Sequence, residues 1–533
     1  MHRILIADSL PEEALAAFQD MDDIEIDNRP GISPDDLASV LSGYEGLVVR
    51  SRTRVTAELL GHGETLRVIG RAGAGVDNID SAEATRRGII VMNTPGGNTI
   101  AAAEHTLALI LSTLRNVPQA HGSMKAKRWD RKTYMGNELY QKTVGIIGLG
   151  KIGQEVARRL AAFDTHLVGY DPLLSREIAD RLGIRLASLD ELLAASDIIT
   201  VHAPRMAETI DMINAETLSR CKDGVVLINC ARGGLMNEAD VLAALESGKV
   251  GAAAFDVFTS EPPEEWALVE HPRVVATPHL GASTEEAQSK VAVQVLEQMI
   301  TYFRRGVAMH AVNFLSVDEA IQPVIAPYFE MGRALGTLFS RLAGGRLQQV
   351  ALRFYGDVTE LPLEPIASHL MAGALRSGDA DGGAPTVEMI NMVNALTIAR
   401  EKGIALELTR KDHPLHNQTN LIACDFHTET GLIHLAGSVY APGNYRLVEF
   451  GKYVVDADLT GRMVIVENDD VPGIIGKVGT ALGAAGINIG GVSSGRDREA
   501  GTAINIFNVE GDLEASLATE LAADGRIRSV RLV

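Results

Sequence analysis

Residues 143–171, TVGIIGLGKIGQEVARRLAAFDTHLVGYD, constrain the fold of this chain more than any other stretch. A short apolar run ends at Gly148, and Gly148, Gly150 and Gly153 then form a G-x-G-x-x-G pattern that opens an amphipathic helix. The first glycine permits a tight turn, the second lets the backbone approach a pyrophosphate, and the third lets helix and strand pack closely. This order of strand, glycine turn and helix predicts a Rossmann-type dinucleotide-binding domain.

A second apolar run, residues 167–170, ends on Asp171, about 20 residues beyond Gly148. A carboxylate at this offset accepts hydrogen bonds from the adenosine ribose and would repel the 2′-phosphate of NADP. No arginine follows Asp171 immediately. The sequence therefore predicts NAD as the cofactor.

Length and charge bound the remaining possibilities. The chain has 533 residues, enough for about three or four domains, each with its own core. A formal net charge of −20 argues against nucleic acid or an anionic membrane surface as the main partner. No apolar run approaches the roughly 18 residues that span a bilayer, and the chain begins in a strand pattern without a signal-peptide core. We therefore expect a cytoplasmic protein.

The three cysteines, Cys221, Cys230 and Cys424, lie far apart in sequence without C-x-x-C spacing. This spacing is typical of buried free thiols in a reducing compartment. We expect neither a disulfide nor a metal site.

Residues 1–97 alternate short apolar strands with amphipathic helices, the pattern of an open parallel sheet. Two of these strands run into polar segments, LVVRS with Arg50 and Ser51, and VIGRAGAG with Arg71 and Gly73. Ligands of open α/β sheets collect beyond the carboxyl ends of strands. These positions are candidate anion sites, with surface ion pairs as the alternative.

Two long helical patterns, residues 99–115 and 285–303, flank the dinucleotide-binding segment. The first is apolar nearly all round, so it should be buried between domains. These crossovers predict that a dinucleotide-binding domain, residues 98–283, is inserted into a flavodoxin-like domain made of residues 1–97 and 284–312. The predicted fold class is therefore α/β.

The pattern changes after about residue 312. Residues 313–460 mix strands such as 349–354 with helices such as 385–401 around a loop at 377–385, and they carry no chemical motif. We expect an α+β intervening domain there. Residues 461–533 show the βαββαβ order of a ferredoxin-like domain.

A nicotinamide cofactor implies hydride transfer, and a hydroxyl substrate then needs a base and a cation beside the developing carbonyl. Three residues that follow strand patterns suit these roles: Arg232, Glu261 and His279. Histidine suits the base because its ordinary pKa, about 6.5, lies near the operating pH. Glu261 would favour the imidazolium and fix its tautomer, and Arg232 could hold a carboxylate bidentately. We expect His202 and His105 to be structural or to neighbour the cofactor.

These segments resemble the D-isomer-specific 2-hydroxyacid dehydrogenases. The motifs that carry the resemblance are GRAGAGVDNID, NTPGGNTIAAAEHTLAL, GLGKIG with YDP, NCARGGLMNE, AFDVFTSEPP and PHLGASTEEAQ, which cover most of residues 44–310. The resemblance implies Arg232, Glu261 and His279 as the catalytic set. The implied cofactor site comprises Gly148, Gly150, Lys151, Ile152, Gly153, Asp171, Ala203, Cys230, Ala231, Arg232, Asp256, His279 and Gly281. The implied substrate site comprises Arg50, Ser51, Arg71, Gly73, Asn98 and Arg131.

The tail resembles that of the long-subunit members of this family, in which an intervening domain precedes an ACT domain that binds amino acids at paired interfaces. The resemblance implies oxidation of 3-phospho-D-glycerate to 3-phosphooxypyruvate, the first step toward L-serine. It also implies a homodimer or homotetramer, in which Arg131 reaches the phosphate of a neighbouring subunit's substrate. Asp470 and Asn488 are the candidate residues for an L-serine effector. Ala74 and Ala203 depart from the family pattern, and we expect local losses of contact without a change of activity.

The sequence leaves other functions open. The nearest is a dehydrogenase or reductase of an unphosphorylated 2-hydroxy acid, such as glycerate or hydroxypyruvate. An NAD-sensing binding protein could keep the fold without catalysis, although the intact Arg232, Glu261 and His279 weigh against it. The tail could also be an assembly module without a ligand.

Overall fold

The computed structural model of the chain describes residues 1–18, 21–314, 317, 321–375, 390–411 and 420–533. The described residues form four β-sheets, two of them entirely parallel. The loop predicted at 377–385 and the first residues of the helix predicted at 385–401 lie outside the described residues. Within the described part of the chain, no helix is long and apolar enough to cross a membrane.

The first sheet is built from the start of the chain. Its elements are β1 His2–Ile6, α1 Glu12–Ala16, β2 Ile24–Asn28, α2 Pro34–Val40, a 3-10 helix Leu41–Gly43, β3 Gly46–Val49, α3 Ala57–Gly61, β4 Val68–Arg71, α4 Ser81–Arg86 and β5 Ile90–Met92. The strands run parallel in the order β2-β1-β3-β4-β5, which is the flavodoxin-like order. Apolar side chains are buried on both faces of this sheet, as a parallel sheet requires.

The next segment, residues 99–305, contains the second sheet and the helices around it. Its elements are α5 Thr99–Leu114, α6 Val117–Lys125, β6 Thr143–Ile147, α7 Lys151–Ala161, β7 His166–Tyr170, α8 Arg176–Arg181, β8 Ile184–Leu186, α9 Leu189–Ala195, β9 Ile198–Val201, α10 Ala215–Arg220, β10 Val225–Asn229, α11 Glu238–Ser247, β11 Val250–Phe255, α12 Ala267–Glu270, β12 Val274–Ala276 and α13 Glu285–Arg305. The order β8-β7-β6-β9-β10-β11-β12 is the Rossmann order extended by one strand. Its topological switch point lies between β6 and β9, where such folds bind their ligands.

Two helices join these sheets. Helix α5 packs on α7 and on β11, so its apolar surface is buried in the second domain. Helix α13 returns the chain to the first sheet, where Val295 and Met299 pack so close to Gly70 that a side chain there would collide with them. The Rossmann-type domain is thus inserted in the flavodoxin-like one, as the sequence predicted.

The third sheet belongs to the intervening region. Its elements are α14 Gln322–Leu342, β13 Leu347–Gly356, a 3-10 helix Asp357–Glu360, α15 Leu363–Leu375, α16 Ala395–Glu401, β14 Ala405–Lys411, β15 Asn420–Thr428, β16 Gly431–Ala441, β17 Asn444–Phe450 and β18 Tyr453–Asp458. The helix predicted at 385–401 is wrong over residues 390–394. There the side chains of Asn391 and Asn394 accept hydrogen bonds from the backbone N–H groups of Val393 and Asn391, so the segment turns before α16 begins.

The fourth sheet is the ferredoxin-like one. Its elements are β19 Arg462–Asp469, α17 Ile474–Ala484, β20 Asn488–Asp497, β21 Thr502–Glu510, α18 Ala515–Ala522 and β22 Ile527–Leu532. The strands are antiparallel in the order β20-β21-β19-β22. One face carries α17 and α18, while Ile465, Ile504 and Ile506 on the other face join the core of the intervening domain. The two tail domains therefore share one hydrophobic core.

Candidate active site

An acid–base pair stands at the carboxyl end of the second sheet. His279 Nδ1 lies 2.7 Å from Glu261 Oε2, and 42% and 39% of the two side chains is exposed. Glu261 is itself oriented, because its Oε1 accepts a hydrogen bond from the N–H of Phe258 at 3.2 Å. With Nδ1 engaged, Nε2 is the nitrogen that remains for a substrate. This arrangement suits a general base.

The backbone of His279 adopts φ +55°, a left-handed conformation that is uncommon outside glycine. Asp256 holds it there. The backbone carbonyl of Asp256 accepts from the N–H of His279 at 2.9 Å, and its carboxylate accepts from the N–H groups of Leu280 at 2.7 Å and Gly281 at 2.8 Å. The strained position of His279 is therefore fixed by a buried carboxylate.

Asp256 is 1% exposed and belongs to a hydrogen-bonded cluster. Burial alone would raise the pKa of Asp256, but hydrogen bonds from His105, from Thr277 and from the backbone lower that pKa to about 2. His105, Cys230 and Asp256 are close enough to share a metal ion. Burial and the neighbouring Asp256 raise the pKa of Cys230 to about 12. The imidazole of His105 and the carboxylate of Asp256 already hydrogen-bond each other and the Thr277 hydroxyl. We interpret the cluster as a hydrogen-bond network.

The glycine turn leaves room for a dinucleotide. Gly148 has φ +89°, and a Cβ there would lie 2.7 Å from the carbonyl of His202. A Cβ on Gly153 would collide with the Gly148 carbonyl. Among the described residues, no side chain caps α7 at Gly150, and apart from its neighbours in the chain no atom lies within 4 Å of a Cβ built there. The first N–H groups of α7 are thus open to a diphosphate, as NAD requires.

Asp171 follows β7 beside this turn. Its Oδ2 accepts from the N–H of Leu149 at 2.7 Å, and its Oδ1 accepts from the N–H of Leu173 at 2.8 Å. A carboxylate offers about four acceptor sites, so it can still receive a ribose diol. Asp171 therefore fits both the loop and the ribose of NAD.

A cleft of about 380 Å³ is lined by Ile152, at the start of α7, and by His279 of the acid–base pair. The predicted site residues that line it are Asn98, Ile152, Ala203, Cys230, Ala231, Arg232, Asp256, His279 and Gly281. Lys151 lines an adjoining cavity with Gly96 and Thr99 instead. Glu261 lies on a neighbouring apolar pocket that shares His279.

Three arginines carry positive charge near this cleft. Arg232 Nε is 3.1 Å from Asp77 Oδ2. The buried Nε of Arg71 finds no hydrogen-bond partner in the described part of the chain, and a Cβ on Gly73 would collide with its guanidinium. Burial and the positive charges of Arg232 and Arg50 lower the pKa of Arg71 to about 10. A half-buried guanidinium whose buried Nε lacks a hydrogen-bond partner suits a bound anion.

The other predicted substrate residues are dispersed. The Arg50 guanidinium donates to the carbonyl of Ser9 at 3.1 Å, and Ser51 beside it is exposed. Asn98 precedes α5 and reaches the cleft. Arg131 is exposed on residues 126–142, and it does not line the cleft of its own chain.

Sequence reasoning missed several residues of the cleft. Asp77 pairs with Arg232, and Asn93 Nδ2 donates to the carbonyl of Ala74 at 2.5 Å. His202 was not missed: the sequence predicted that it is structural or neighbours the cofactor, and it lines the cleft, where burial lowers its pKa to about 4. Asp77 stands within the GRAGAGVDNID motif, but no spacing rule indicates which acid of that motif faces an arginine.

The two effector candidates lie at opposite ends of the fourth sheet. Asp470 forms an ion pair with Arg496 at 2.8 Å beside the start of β21, where its N–H donates to the carbonyl of Gly501. Asn488 pairs with Glu510 at the end of that strand. The nine residues of β21 separate them by roughly 25 Å. The structure does not bring them together within one chain.

The fold and the cleft define an NAD-dependent dehydrogenase of the D-isomer-specific 2-hydroxyacid class. Family models match in three places: the D-isomer specific 2-hydroxyacid dehydrogenase NAD binding domain at residues 107–281, the D-3-phosphoglycerate dehydrogenase intervening domain at 324–451 and the ACT domain at 462–525. The chain belongs to the D-3-phosphoglycerate dehydrogenase family. The predictions of family, fold class and NAD dependence are confirmed.

Individual relatives show how far the similarity extends. The chain is 39% identical over 534 residues to D-3-phosphoglycerate dehydrogenase from Bacillus subtilis, covering 100% of this chain and 99% of the relative. It is 37% identical to D-3-phosphoglycerate dehydrogenase from Synechocystis, covering 100% of this chain and 95% of the relative. A crystal structure of a glyoxylate reductase from Paecilomyes thermophila superposes with a TM-score of 0.54 at 30% identity, covering 58% of this chain and 98% of that one.

Proposed function

We propose that this chain oxidises 3-phospho-D-glycerate to 3-phosphooxypyruvate with NAD, the first step of L-serine biosynthesis. The observation that carries the proposal is the half-buried Arg71, whose Nε lacks a hydrogen-bond partner, near the charges of Arg50 and Arg232. Arg232 in turn lines the same cleft as His279, which pairs with Glu261. Such a cluster suits a substrate with two anionic ends and a hydroxyl between them. The names of the relatives that match over nearly the whole chain support the same substrate.

The chain's own residues divide the proposed chemistry among them. When bound, NAD accepts the hydride. His279 Nε2 takes the hydroxyl proton of the substrate, and Glu261 on Nδ1 fixes the tautomer and stabilises the imidazolium. Arg232 exchanges Asp77 for the substrate carboxylate and orients it bidentately. Asp256 keeps His279 in place throughout.

Phosphate binding involves Arg50 and Arg71, together with Arg131 from a second copy in a homodimer or homotetramer. Arg131 supports this role because it is exposed, and no described residue accepts a hydrogen bond from it. The same segment exposes 74% of Trp129 and 83% of Met135, which a neighbouring subunit would cover. Sedimentation of the chain, with Arg131→Ala as the kinetic variant, tests this part.

We also propose L-serine as an effector of the ACT domain. Asp470 and Asn488 could contact one ligand only if two copies of the chain paired, with the Asp470 end of the fourth sheet in one copy next to the Asn488 end in the other. Calorimetry of the full chain with L-serine, and inhibition by L-serine in the assay, test it. Binding heat without inhibition would favour an effector site without regulation. Absence of both binding heat and inhibition would favour an assembly module.

We also propose that the protein acts in the cytoplasm, and its three buried free cysteines support this location.

The phosphate assignment is tested by Arg71→Ala. Losing a charge-assisted contact should raise KM for 3-phospho-D-glycerate by about tenfold to a hundredfold. Arg29→Ala is the control, because Arg29 pairs with Asp27 on the surface of the same domain at 2.8 Å. An unchanged KM in Arg71→Ala would favour an unphosphorylated 2-hydroxy acid such as glycerate. Absence of NADH formation with either substrate would favour an NAD-sensing binding protein.

A further inference from the structure

The loop that follows β3 carries Arg50 and Ser51 but has no regular secondary structure of its own. A loop of this kind must find hydrogen-bond partners for its backbone elsewhere. Two side chains outside the proposed substrate site supply them, Asp8 beyond the end of β1 and Asn78 in the loop after β4.

The Asp8 carboxylate accepts hydrogen bonds from the donors of this loop. It is 3% exposed, and its carboxylate accepts from the N–H of Arg50 at 2.6 Å and from the N–H of Thr53 at 3.2 Å. It also accepts from the Thr53 hydroxyl at 2.7 Å. A buried carboxylate with three donors is strongly held in position.

Asn78 donates hydrogen bonds to the backbone carbonyls of the same two residues, Arg50 and Thr53. Its side-chain Nδ2 donates to the carbonyl of Arg50 at 2.7 Å and to the carbonyl of Thr53 at 2.6 Å. The backbone carbonyl of Asn78 accepts a hydrogen bond from the N–H of Val55 at 2.8 Å. The backbone groups of Arg50 and Thr53 are therefore clasped from both sides.

This clasp opposes an electrostatic force. Arg50, Arg71 and Arg232 carry like charges that repel one another around the half-buried Arg71 side chain. Without an anion, that repulsion favours movement of the exposed loop and its arginine away from the site. Asp8 both ties the loop down and places a negative charge near Arg71.

We propose that Asp8 and Asn78 are positioning residues, which hold the Arg50 loop in its anion-binding geometry before the substrate arrives. The proposal rests on the proposed oxidation of 3-phospho-D-glycerate. Because preorganisation lowers the cost of binding, its loss should appear in substrate affinity and not in the hydride-transfer step.

The test is steady-state kinetics of the full chain carrying Asn78→Ala. We expect KM for 3-phospho-D-glycerate to rise about tenfold to a hundredfold, equivalent to about 1.4 to 2.8 kcal/mol, with kcat and the KM for NAD within about twofold of wild type. Thr65→Val is the matched control. The Thr65 hydroxyl also lies 2.8 Å from two loop carbonyls in this domain, those of Ser42 and Tyr44, and can donate its one hydrogen to either, but at the opposite end of β3. Its loss should leave all three constants unchanged.

If Asn78→Ala does not fold, Thr53→Val provides the second variant, since it removes one of the bonds to Asp8. An equal rise of KM in Asn78→Ala and Thr65→Val would overturn the positioning role, because general destabilisation would then explain both. An unchanged KM in the Asn78 variant would overturn it as well. Failure of the wild-type chain to oxidise 3-phospho-D-glycerate would overturn the proposed function and this inference with it.

Discussion

Replacing Asp256 by asparagine should loosen the loop that carries His279. The pKa of Asp256 falls from 3.8 to about 2, which corresponds to about 2.5 kcal/mol of stability from the ionised carboxylate. Because the folded-state pKa is the lower one, this stability is present above about pH 4 and is lost as the pH falls through about 2. Asparagine keeps one acceptor oxygen but cannot receive N–H donors on its nitrogen. At neutral pH, the Asp256→Asn variant should therefore lose up to about 2.5 kcal/mol of stability.

Hydrogen exchange followed by mass spectrometry measures this loss locally. Peptides that cover residues 277–284 should open up to about 60-fold more often in Asp256→Asn, which is the factor for 2.5 kcal/mol. kcat should fall as well, because His279 loses the support for its left-handed backbone. Asp223→Asn is the control, since Asp223 is 90% exposed and pairs with Lys249 on the surface. Unchanged exchange at 277–284 in Asp256→Asn would refute the reasoning.

The other predictions concern the base, the glycine turn and the tail. His279→Gln should lower kcat by about a hundredfold to ten-thousandfold without changing the KM for NAD, and a smaller loss would exclude it as the base. Gly153→Ala should raise the KM for NAD at least about tenfold, because its Cβ would collide with the carbonyl of the turn; an unchanged KM would contradict the cradle. His434 bonds Glu449 and Asp425, which raise its pKa above 6.5. Its stabilisation is therefore complete below about pH 6.5 and is lost as the pH rises through the folded-state pKa. His434→Gln should lower the melting temperature more at about pH 6 than at about pH 9, and an equal loss would contradict this.

The two parallel sheets could be predicted because most of their strands are continuous apolar runs. β3 and β10 are buried along their whole length, so the sequence gives their limits. β2 was missed since it lies at the edge of the first sheet and carries Glu25, Asp27 and Asn28, so it never forms an apolar run.

The tail was less predictable. β15 to β18 lie in a mixed sheet, where alternation and bulges weaken the apolar pattern. The effector candidates, Asp470 and Asn488, stand 18 residues apart in sequence, yet antiparallel pairing with β21 sends them to opposite ends of the sheet. Likewise, the roles of Asp8 and Asn78 depend on which loops meet beyond the first sheet, and no local pattern encodes that.

The preference of the wild-type chain for a phosphorylated substrate tests the central claim most directly. The measurement is the ratio of kcat/KM for 3-phospho-D-glycerate to kcat/KM for D-glycerate, followed through NADH formation. Two charge-assisted contacts from Arg50 and Arg71 predict a ratio of at least about a hundred. A ratio near one would show that the arginine cluster does not bind phosphate, and it would contradict the account.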